Sequence, residues 1–300
     1  MTALLPPSPR RPPWASALAA MLSVQLGSAL SVPMIDSVGP AGTAWLRLSL
    51  GAVVFLAFVR PPLRAVSRGD VPVLLGLGTA TGLVTVTFLA AIERIPLGTA
   101  VAVEFLGPLT LAAVRSPSRK VLAWPALALV GVVLLTQPWN GHVDPVGLGF
   151  AALAALGWAT YIQLTQRIGD RFTGMGGLAM TIPIAAATAA VVGIPQAAGH
   201  LTLGVIGAAA GLAILLPVLP FALEMHALRH MTASAFGTLM ALEPAVGVLL
   251  GLVVLHQRPS PAQLAGILLV VLAGAAAQRG GRRRRGVDAD AARPELDLIG

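Results

Sequence analysis

The chain of 300 residues contains no cysteine and few charged residues. Without cysteine it has no disulfides, no thiolate nucleophile and no Cys-ligated metal. Charged residues make up 11% of the chain, whereas a soluble domain carries about 25%, so the composition does not suit a surface that faces water. Aromatic residues are only 5%, and the alternating segments with aromatic girdles that mark outer-membrane barrels are absent. These shortages leave a helical membrane protein.

What is abundant is apolar and small. Hydrophobic residues make up 56% of the chain, the mean hydropathy is +0.83, and there are 33 glycines. Small residues allow membrane helices to approach closely. Ten apolar stretches, each near the length that crosses a bilayer, lie at about 15–34, 40–59, 71–91, 97–114, 121–137, 146–165, 175–194, 203–223, 233–254 and 261–277. We therefore predict an all-α integral membrane protein with ten transmembrane helices.

The basic residues predict the orientation of these helices. If residues 1–14 form a cytoplasmic segment, seventeen of the twenty Lys and Arg residues fall on the cytoplasmic side. Lys and Arg are retained on that side of a membrane, so both termini are expected to be cytoplasmic. The first apolar stretch follows Arg10 and Arg11 like a signal peptide, but it is longer than a typical signal core, and we interpret it as a retained helix.

The net charge of +8 does not indicate a nucleic-acid partner here, because the basic residues lie in short connections and in a tail. Residues 278–300 are polar and are predicted to form a disordered cytoplasmic tail. Its arginine run, 282–285, follows the last apolar stretch and is interpreted as an anchor on anionic lipid.

An internal repeat appears when the sequence is shifted on itself by 136 residues. This offset aligns Leu106-Gly107-Pro108 with Leu242-Glu243-Pro244 and the first apolar stretch with the sixth. We predict two repeats of five helices, residues 15–137 and 146–277. Because five is odd, the second repeat enters from the opposite side of the membrane. Such inverted repeats are typical of secondary transporters, whose site lies at the membrane midplane between the repeats.

Two parts of the sequence resemble the EamA-type members of the drug/metabolite transporter superfamily, and more narrowly the bacterial threonine/homoserine exporters. They are residues 95–108, IPLGTAVAVEFLGP, and residues 223–228 with 235–244, LEMHAL and AFGTLMALEP. The resemblance covers about residues 15–277. It implies amino-acid efflux through the inner membrane of a bacterium, without a cofactor.

Four charged residues lie within or near the apolar stretches: Arg47, Glu104, Glu224 and Glu243. A charge at the bilayer centre costs about 2.5–3.5 kcal/mol on insertion scales, so these side chains are expected to face a cavity or one another. We predict that Arg47 binds a substrate carboxylate and that Glu104 or Glu243 meets its ammonium group, one of them carrying a coupling proton. An Arg47–Glu pair that only holds helices together is the alternative. Glu224 is a candidate gate or structural residue.

Two prolines and several polar residues complete the candidate site. Pro108 and Pro244 lie near the two glutamates and are predicted to break or kink their helices, which frees backbone carbonyls. Gln25, Tyr161 and Gln163 lie on the equivalent first and sixth helices, and Gln25 and Tyr161 are candidate substrate ligands. The three histidines near helix ends have no metal-ligand spacing, and no metal site is predicted; they are His226, His230 and His256.

The predicted function is secondary active export of small amino acids, proton-coupled, by alternating access at a midplane site. No Walker A loop, His-Glu-x-x-His or Gly-x-Ser-x-Gly motif is present, so ATP hydrolysis and enzymatic catalysis are not expected. The alternatives are a transporter of drugs, nucleotide sugars or other metabolites with the same fold and, less favoured, an intramembrane enzyme. The oligomeric state and the exact substrate stay open.

Overall fold

The computed structural model describes residues 13–116, 119–140, 144–169, 172, 175–231 and 233–291, and within these residues every regular element is helical. Single-turn helices at Leu63–Ala65, Arg119–Leu122 and Pro138–Asn140 connect the longer elements. The α-helices in chain order are α1 (Pro13–Phe58), α2 (Val71–Ile92), α3 (Leu97–Val114), α4 (Ala123–Thr136), α5 (Pro145–Gly169), α6 (Gly176–Ala197), α7 (Leu203–Ala213), α8 (Leu219–His230), α9 (Ala233–Met240), α10 (Glu243–Leu255) and α11 (Pro261–Ala291).

Helix α1 is a hairpin of two helical segments that meet at Gly39. The backbone there is non-helical, with φ 71° and ψ 167°, a left-handed conformation that favours glycine. Arg47 Nη1 lies 3.4 Å from Ser31 Oγ, although the two residues are sixteen positions apart in the sequence. In a straight helix sixteen residues span about 24 Å, so the chain reverses at Gly39, with Ser31 and Arg47 eight residues to either side.

Two further predicted helices are interrupted near their middle. The eighth apolar stretch begins as α7, passes through the irregular turn Ile214–Val218 and continues as α8; Leu216 in this turn is extended, with φ −160° and ψ 113°. The ninth is divided into α9 and α10 by a turn at residues 241–242. In membrane proteins, irregular backbone at such positions occurs where it is buried in protein or lines a cavity.

Eight helices in the described part of the chain are long and apolar enough to cross a membrane, whereas the sequence predicted ten. The difference lies in two places. The candidate Pro13–Phe58 covers the first two apolar stretches in one element, and Pro261–Ala277 is apolar but shorter than the others. The first difference concerns how the segments are divided and the second their length, so the structure does not confirm the predicted count of ten.

The core lies where the helices of the two predicted repeats pack on one another. Its largest cluster joins α3 to α10, α4 to α11 and α1 to α6. Glycines allow the closest approaches: Gly131 of α4 faces Gly266 of α11, so that a Cβ on either glycine would lie 2.6 or 2.5 Å from the other's carbonyl oxygen. This packing of small residues is the one that membrane helices favour.

Helix α11 continues to Ala291, so the backbone of 278–291 is helical where the sequence predicted a disordered tail. Arg and Ala, both strong helix formers, supply half of these residues. Residues 292–300 lie outside the described residues, as do most of the cytoplasmic segment 1–14 and Arg171.

Candidate functional site

A buried polar group lies inside the hairpin α1. Gln25 and Arg47 are each only 3% exposed, and Ser31 is fully buried. Arg47 Nη1 donates to Ser31 Oγ, but Arg47 Nε and Gln25 Oε1 have no hydrogen-bond partner among the described residues. A buried polar atom without a partner is costly, and most such atoms in native proteins are satisfied. In the described part of the chain, the hairpin therefore holds one cationic donor and one neutral acceptor that are buried without a partner.

An acidic group lies on the other helices. Glu104 of α3 interacts electrostatically with Glu243 at the start of α10, and Glu243 interacts with Glu224 of α8. Tyr161 of α5 interacts with Glu224 in turn. Glu243 is 8% exposed and its Oε2 has no hydrogen-bond partner among the described residues. The fold thus places Glu104, Glu243 and Glu224, which are up to 139 positions apart in the sequence, within electrostatic range of one another in that order.

The two prolines near the glutamates differ in their effect. Helix α9 ends at Met240 and α10 begins at Glu243, directly before Pro244, which occupies the first turn of the new helix. Helix α3 continues through Pro108 without ending. The helix is therefore interrupted at Glu243, whereas the helix that carries Glu104 is continuous. Glu243 lies at a helix N-terminus, where a carboxylate is stabilised by the helix dipole.

The irregular turn between α7 and α8 is a part of this region that the sequence reasoning missed. Ser23 Oγ donates to the carbonyl oxygen of Leu215, at 2.7 Å, and Gly27 leaves room for Leu215 and Leu216 beside α1. Pro217 is the residue in the sequence that could have indicated this turn, and it packs against Gly51 of the hairpin α1. The turn therefore contacts both segments of α1, the hairpin that carries Gln25 and Arg47.

Arg47 does not form the predicted alternative ion pair in this conformation. Within the described residues no carboxylate oxygen lies within 4.0 Å of its guanidinium; the ion pairs of Arg94 with Glu93 and Asp144 lie elsewhere, at the connection between α2 and α3. Gln163 does not join the acidic group either, because its Oε1 accepts from Arg115 Nη2 at the end of α3.

The histidines lie apart from the polar groups and near helix ends. His226 and His230 stack on α8 with ring centroids 4.6 Å apart, and both are exposed. His256 adopts a left-handed conformation, with φ 57°, at the end of α10. The described residues contain no group of three potential metal ligands.

Apolar helices with interrupted segments and buried polar side chains are the arrangement typical of membrane transport proteins. The model of the EamA-like transporter family matches residues 145–276. The chain is also 36% identical over 260 residues to the threonine/homoserine exporter RhtA of Escherichia coli strain K12, covering 85% of this chain and 88% of that protein. The chain therefore belongs to the EamA-like transporter family, whose members are transporters of the membrane.

A second relative and one solved structure agree with this assignment. The chain is 34% identical over 262 residues to the threonine/homoserine exporter RhtA of Salmonella typhimurium strain LT2, again with 85% of this chain and 88% of that protein covered. A crystal structure of a protein with 22% sequence identity superimposes with a TM-score of 0.58 and covers 90% of this chain and 98% of its own. At that identity the superposition supports the fold alone.

Proposed function

We propose that this protein exports threonine, homoserine or similar small hydroxylated amino acids from the cytoplasm. The observation that carries the proposal is that three of the four buried side-chain atoms without a hydrogen-bond partner in the described residues are Arg47 Nε, Glu243 Oε2 and Gln25 Oε1; the fourth is Thr165 Oγ1. The first three are a cationic donor, an acidic acceptor and a neutral acceptor. A hydroxylated amino acid has one complementary group for each of them.

The assignments follow from charge and hydrogen-bonding capacity. The Arg47 guanidinium binds the substrate carboxylate, since a charge-assisted hydrogen bond of this kind is strong in a buried site. Glu243, with Glu104 beside it, receives the ammonium group. Gln25 Oε1 accepts a hydrogen bond from the side-chain hydroxyl, which threonine and homoserine share. Tyr161 and Glu224 lie at the end of the acidic group and serve as the path or gate toward it.

Proton coupling is assigned to the acidic group. Repulsion among ionised carboxylates at close range is relieved when an ammonium group or a proton lies between them. Binding of the substrate and binding of a proton then compete for the same place, and that competition is what couples the two fluxes. Glu243 is the better candidate for the coupling residue, because it is more buried than Glu104 and lies at a break in its helix.

The proposed architecture is ten crossings in two inverted repeats, residues 15–137 and 146–277, with cytoplasmic termini. Three observations support it. The hairpin at Gly39 makes α1 long enough for two crossings, and α11 provides the last. The packing also agrees with a two-fold relation between the repeats. The third helix of each repeat packs on the first helix of the other: α2 packs on α5, and α7–α8 packs on the first segment of α1. The basic connections then lie on one side.

Counterflow in proteoliposomes tests the proposal. Vesicles loaded with unlabelled threonine should accumulate labelled threonine and homoserine by exchange, and an imposed proton gradient should change the net flux. Exchange of 2-aminobutyrate, which lacks the hydroxyl, should be weaker by about tenfold or more, because a site built to bind a hydroxyl rejects the analogue without it.

The same assay separates the alternatives. Exchange restricted to nucleotide sugars or drugs, with no amino-acid exchange, would contradict the proposed substrate while retaining the transporter. Chemical conversion of the labelled compound would contradict transport itself. Exchange of amino acids that is insensitive to the proton gradient would remove the coupling role of Glu243 and leave the substrate assignment.

A further inference from the structure

Glutamine side chains connect the two repeats at one end of the bundle. The first is Gln257, directly after α10. The left-handed His256 ends that helix, and the N–H groups of His256 and Gln257 both donate to Gly251 O, the latter at 2.9 Å. Gln257 Oε1 accepts from Leu97 N at 3.1 Å. Leu97 is the first residue of α3 in the other repeat, and its N–H has no partner within its own helix.

Gln196 makes the same kind of contact at the end of α6. Its Oε1 accepts from Ala41 N at 2.7 Å and from Gly42 N at 3.1 Å. These N–H groups begin the second segment of α1, just after the break at Gly39, and Pro40 before them has no N–H to offer. A glutamine of the second repeat again satisfies the first N–H groups of a helix in the first repeat.

The third pair, α4 and α11, is joined by two glutamines. Gln137 Nε2 donates to Ser260 Oγ at 2.6 Å, and Gln263 Nε2 donates to the carbonyl oxygen of Leu135 at 3.1 Å. Leu135 lies in the last turn of α4, where carbonyls lack helical partners. We call these four residues, Gln137, Gln196, Gln257 and Gln263, the glutamine latch.

Packing also differs between the two ends of the bundle. Around the latch, residues 97–103 of α3 are all buried, and Gly98 lies against the backbone of Val248. At the opposite end, residues 235–240 of α9 are all part-exposed, so that no face of this short helix is fully packed. A helix packed on one side shows buried residues at every third or fourth position, and α9 lacks them over this stretch. Helix α3 is therefore tightly packed at the latch, whereas α9 is less tightly packed at the opposite end, where buried apolar clusters such as that of Leu74, Leu77 and Met180 join other helices.

We propose that the glutamine latch closes the outer face of the transporter. Export then requires the latch to release as one unit, which separates the repeats at their outer ends. The proposal rests on the proposed function and orientation, because these decide which face is the outer one and that the protein exports its substrate. The geometry of the latch itself is independent of both.

The chain has no cysteine, so a single introduced cysteine can be labelled without any other change. Thr99 is suited to this experiment, because it is 4% exposed and lines a small cavity beside Gln257 and Arg258. Thr99→Cys should react slowly with a membrane-impermeant maleimide added outside cells. The decisive variant is Gln196→Leu, which removes the contact to Ala41 and Gly42 without touching the cavity around Thr99. It should speed labelling at least about fivefold if the latch opens as a unit.

Three variants complete the experiment. Gln196→Glu retains the acceptor oxygen, so Thr99→Cys should be labelled as slowly in this variant as it is with Gln196 in place. Gln137→Leu removes a different contact of the latch and should act like Gln196→Leu, which keeps the test available if that variant does not insert. Gln166→Leu breaks the comparable hydrogen bond from Arg115 at the opposite end of the bundle and should leave labelling unchanged.

Unchanged labelling in both Gln196→Leu and Gln137→Leu overturns the latch, and so does fast labelling of Thr99→Cys alone. Because labelling requires no transport, the result is separate from the substrate assignment. A latch that responds as expected in a protein that exchanges no amino acid would contradict the proposed function and support this inference.

Discussion

The Arg47 guanidinium donates to Ser31 Oγ across the hairpin at Gly39, while its Nε has no partner among the described residues. The hydroxyl positions the guanidinium without neutralising it, so the positive charge stays available to a ligand. A buried charge that only held the hairpin together would be expected to have a carboxylate beside it.

Replacing Arg47 by Lys should therefore impair export more than folding. Lysine keeps the charge but cannot form the planar two-donor contact with a carboxylate. Loss of a charge-assisted hydrogen bond of about 1.5–3 kcal/mol lowers threonine exchange about ten- to a hundredfold. Counterflow in proteoliposomes measures it. Arg258→Lys, at an exposed position outside the hairpin, is the matched control, and normal exchange by Arg47→Lys would contradict the assignment.

Glu104 and Glu243 should be separable by the reaction that is measured. Glu243→Gln is expected to reduce exchange of labelled threonine and to abolish its response to a proton gradient, because the amide still accepts a hydrogen bond from the ammonium group but carries no charge and no longer titrates. Glu104→Gln should weaken binding while the gradient response remains. The measurement is exchange with and without an imposed gradient. The reverse pattern would move the coupling proton to Glu104.

Gln25→Leu should change selectivity rather than abolish transport. Without the Oε1 acceptor, exchange of threonine and homoserine should fall about tenfold, whereas exchange of 2-aminobutyrate should change little. Competition between labelled threonine and each unlabelled amino acid reports the ratio directly. Gln163→Leu, whose glutamine is bonded to Arg115, is the control. An equal loss for all three amino acids would indicate that Gln25 only supports the helix.

Gly98→Ala should destabilise the protein. A Cβ at Gly98 would lie 3.0 Å from Val248 Cα and 3.1 Å from Val248 N, and backbone cannot move aside as a side chain does. Overpacking of this kind costs about 1–3 kcal/mol, which a thermal unfolding assay in detergent detects as a lower Tm. Gly207→Ala on α7, where nothing lies within 4 Å of the added Cβ, should not lower the Tm. A similar effect of both substitutions would contradict the proposed contact.

The lowered pKa of Asp144, at the end of the bundle that carries the latch, predicts that the thermal stability depends on pH. Hydrogen bonds from the backbone N–H groups of Gly147 and Val146, together with Arg94, hold the pKa of Asp144 below its ordinary value. A lowered pKa means that the stabilisation is present above the ordinary pKa and is lost as the pH falls through the lowered value. Asp144→Asn should therefore lower the Tm at neutral pH and flatten its decrease in acid. An unchanged acid dependence would show that this carboxylate does not contribute.

Much of the fold follows from the sequence, because an apolar stretch of about twenty residues in a lipid setting has few options besides a helix. The electrostatic interaction of Glu104 with Glu243 agrees with the repeat, since the 136-residue offset aligns Glu104 with Met240, about one turn before Glu243. The interruption at Leu216 does not follow, because the apolar run continues through it and hydropathy is insensitive to backbone conformation. The latch cannot be predicted from the sequence either. Gln196 and Gln257 bind backbone N–H groups more than 150 residues away, and because almost every residue type carries such a group, the sequence does not indicate the partner.

The bonding of Gln263 has a mechanical consequence. Its Oε1 accepts from Ser260 N, and Ser260 Oγ accepts from Gln263 N, which is a capping box at the start of α11. Only the amide nitrogen reaches across to Leu135. If α4 and α11 separate, water replaces two hydrogen bonds, that of Gln263 to Leu135 and that of Gln137 to Ser260, and α11 keeps its own N-terminal cap. The contact can therefore break and re-form without any turn of α11 being unwound and refolded.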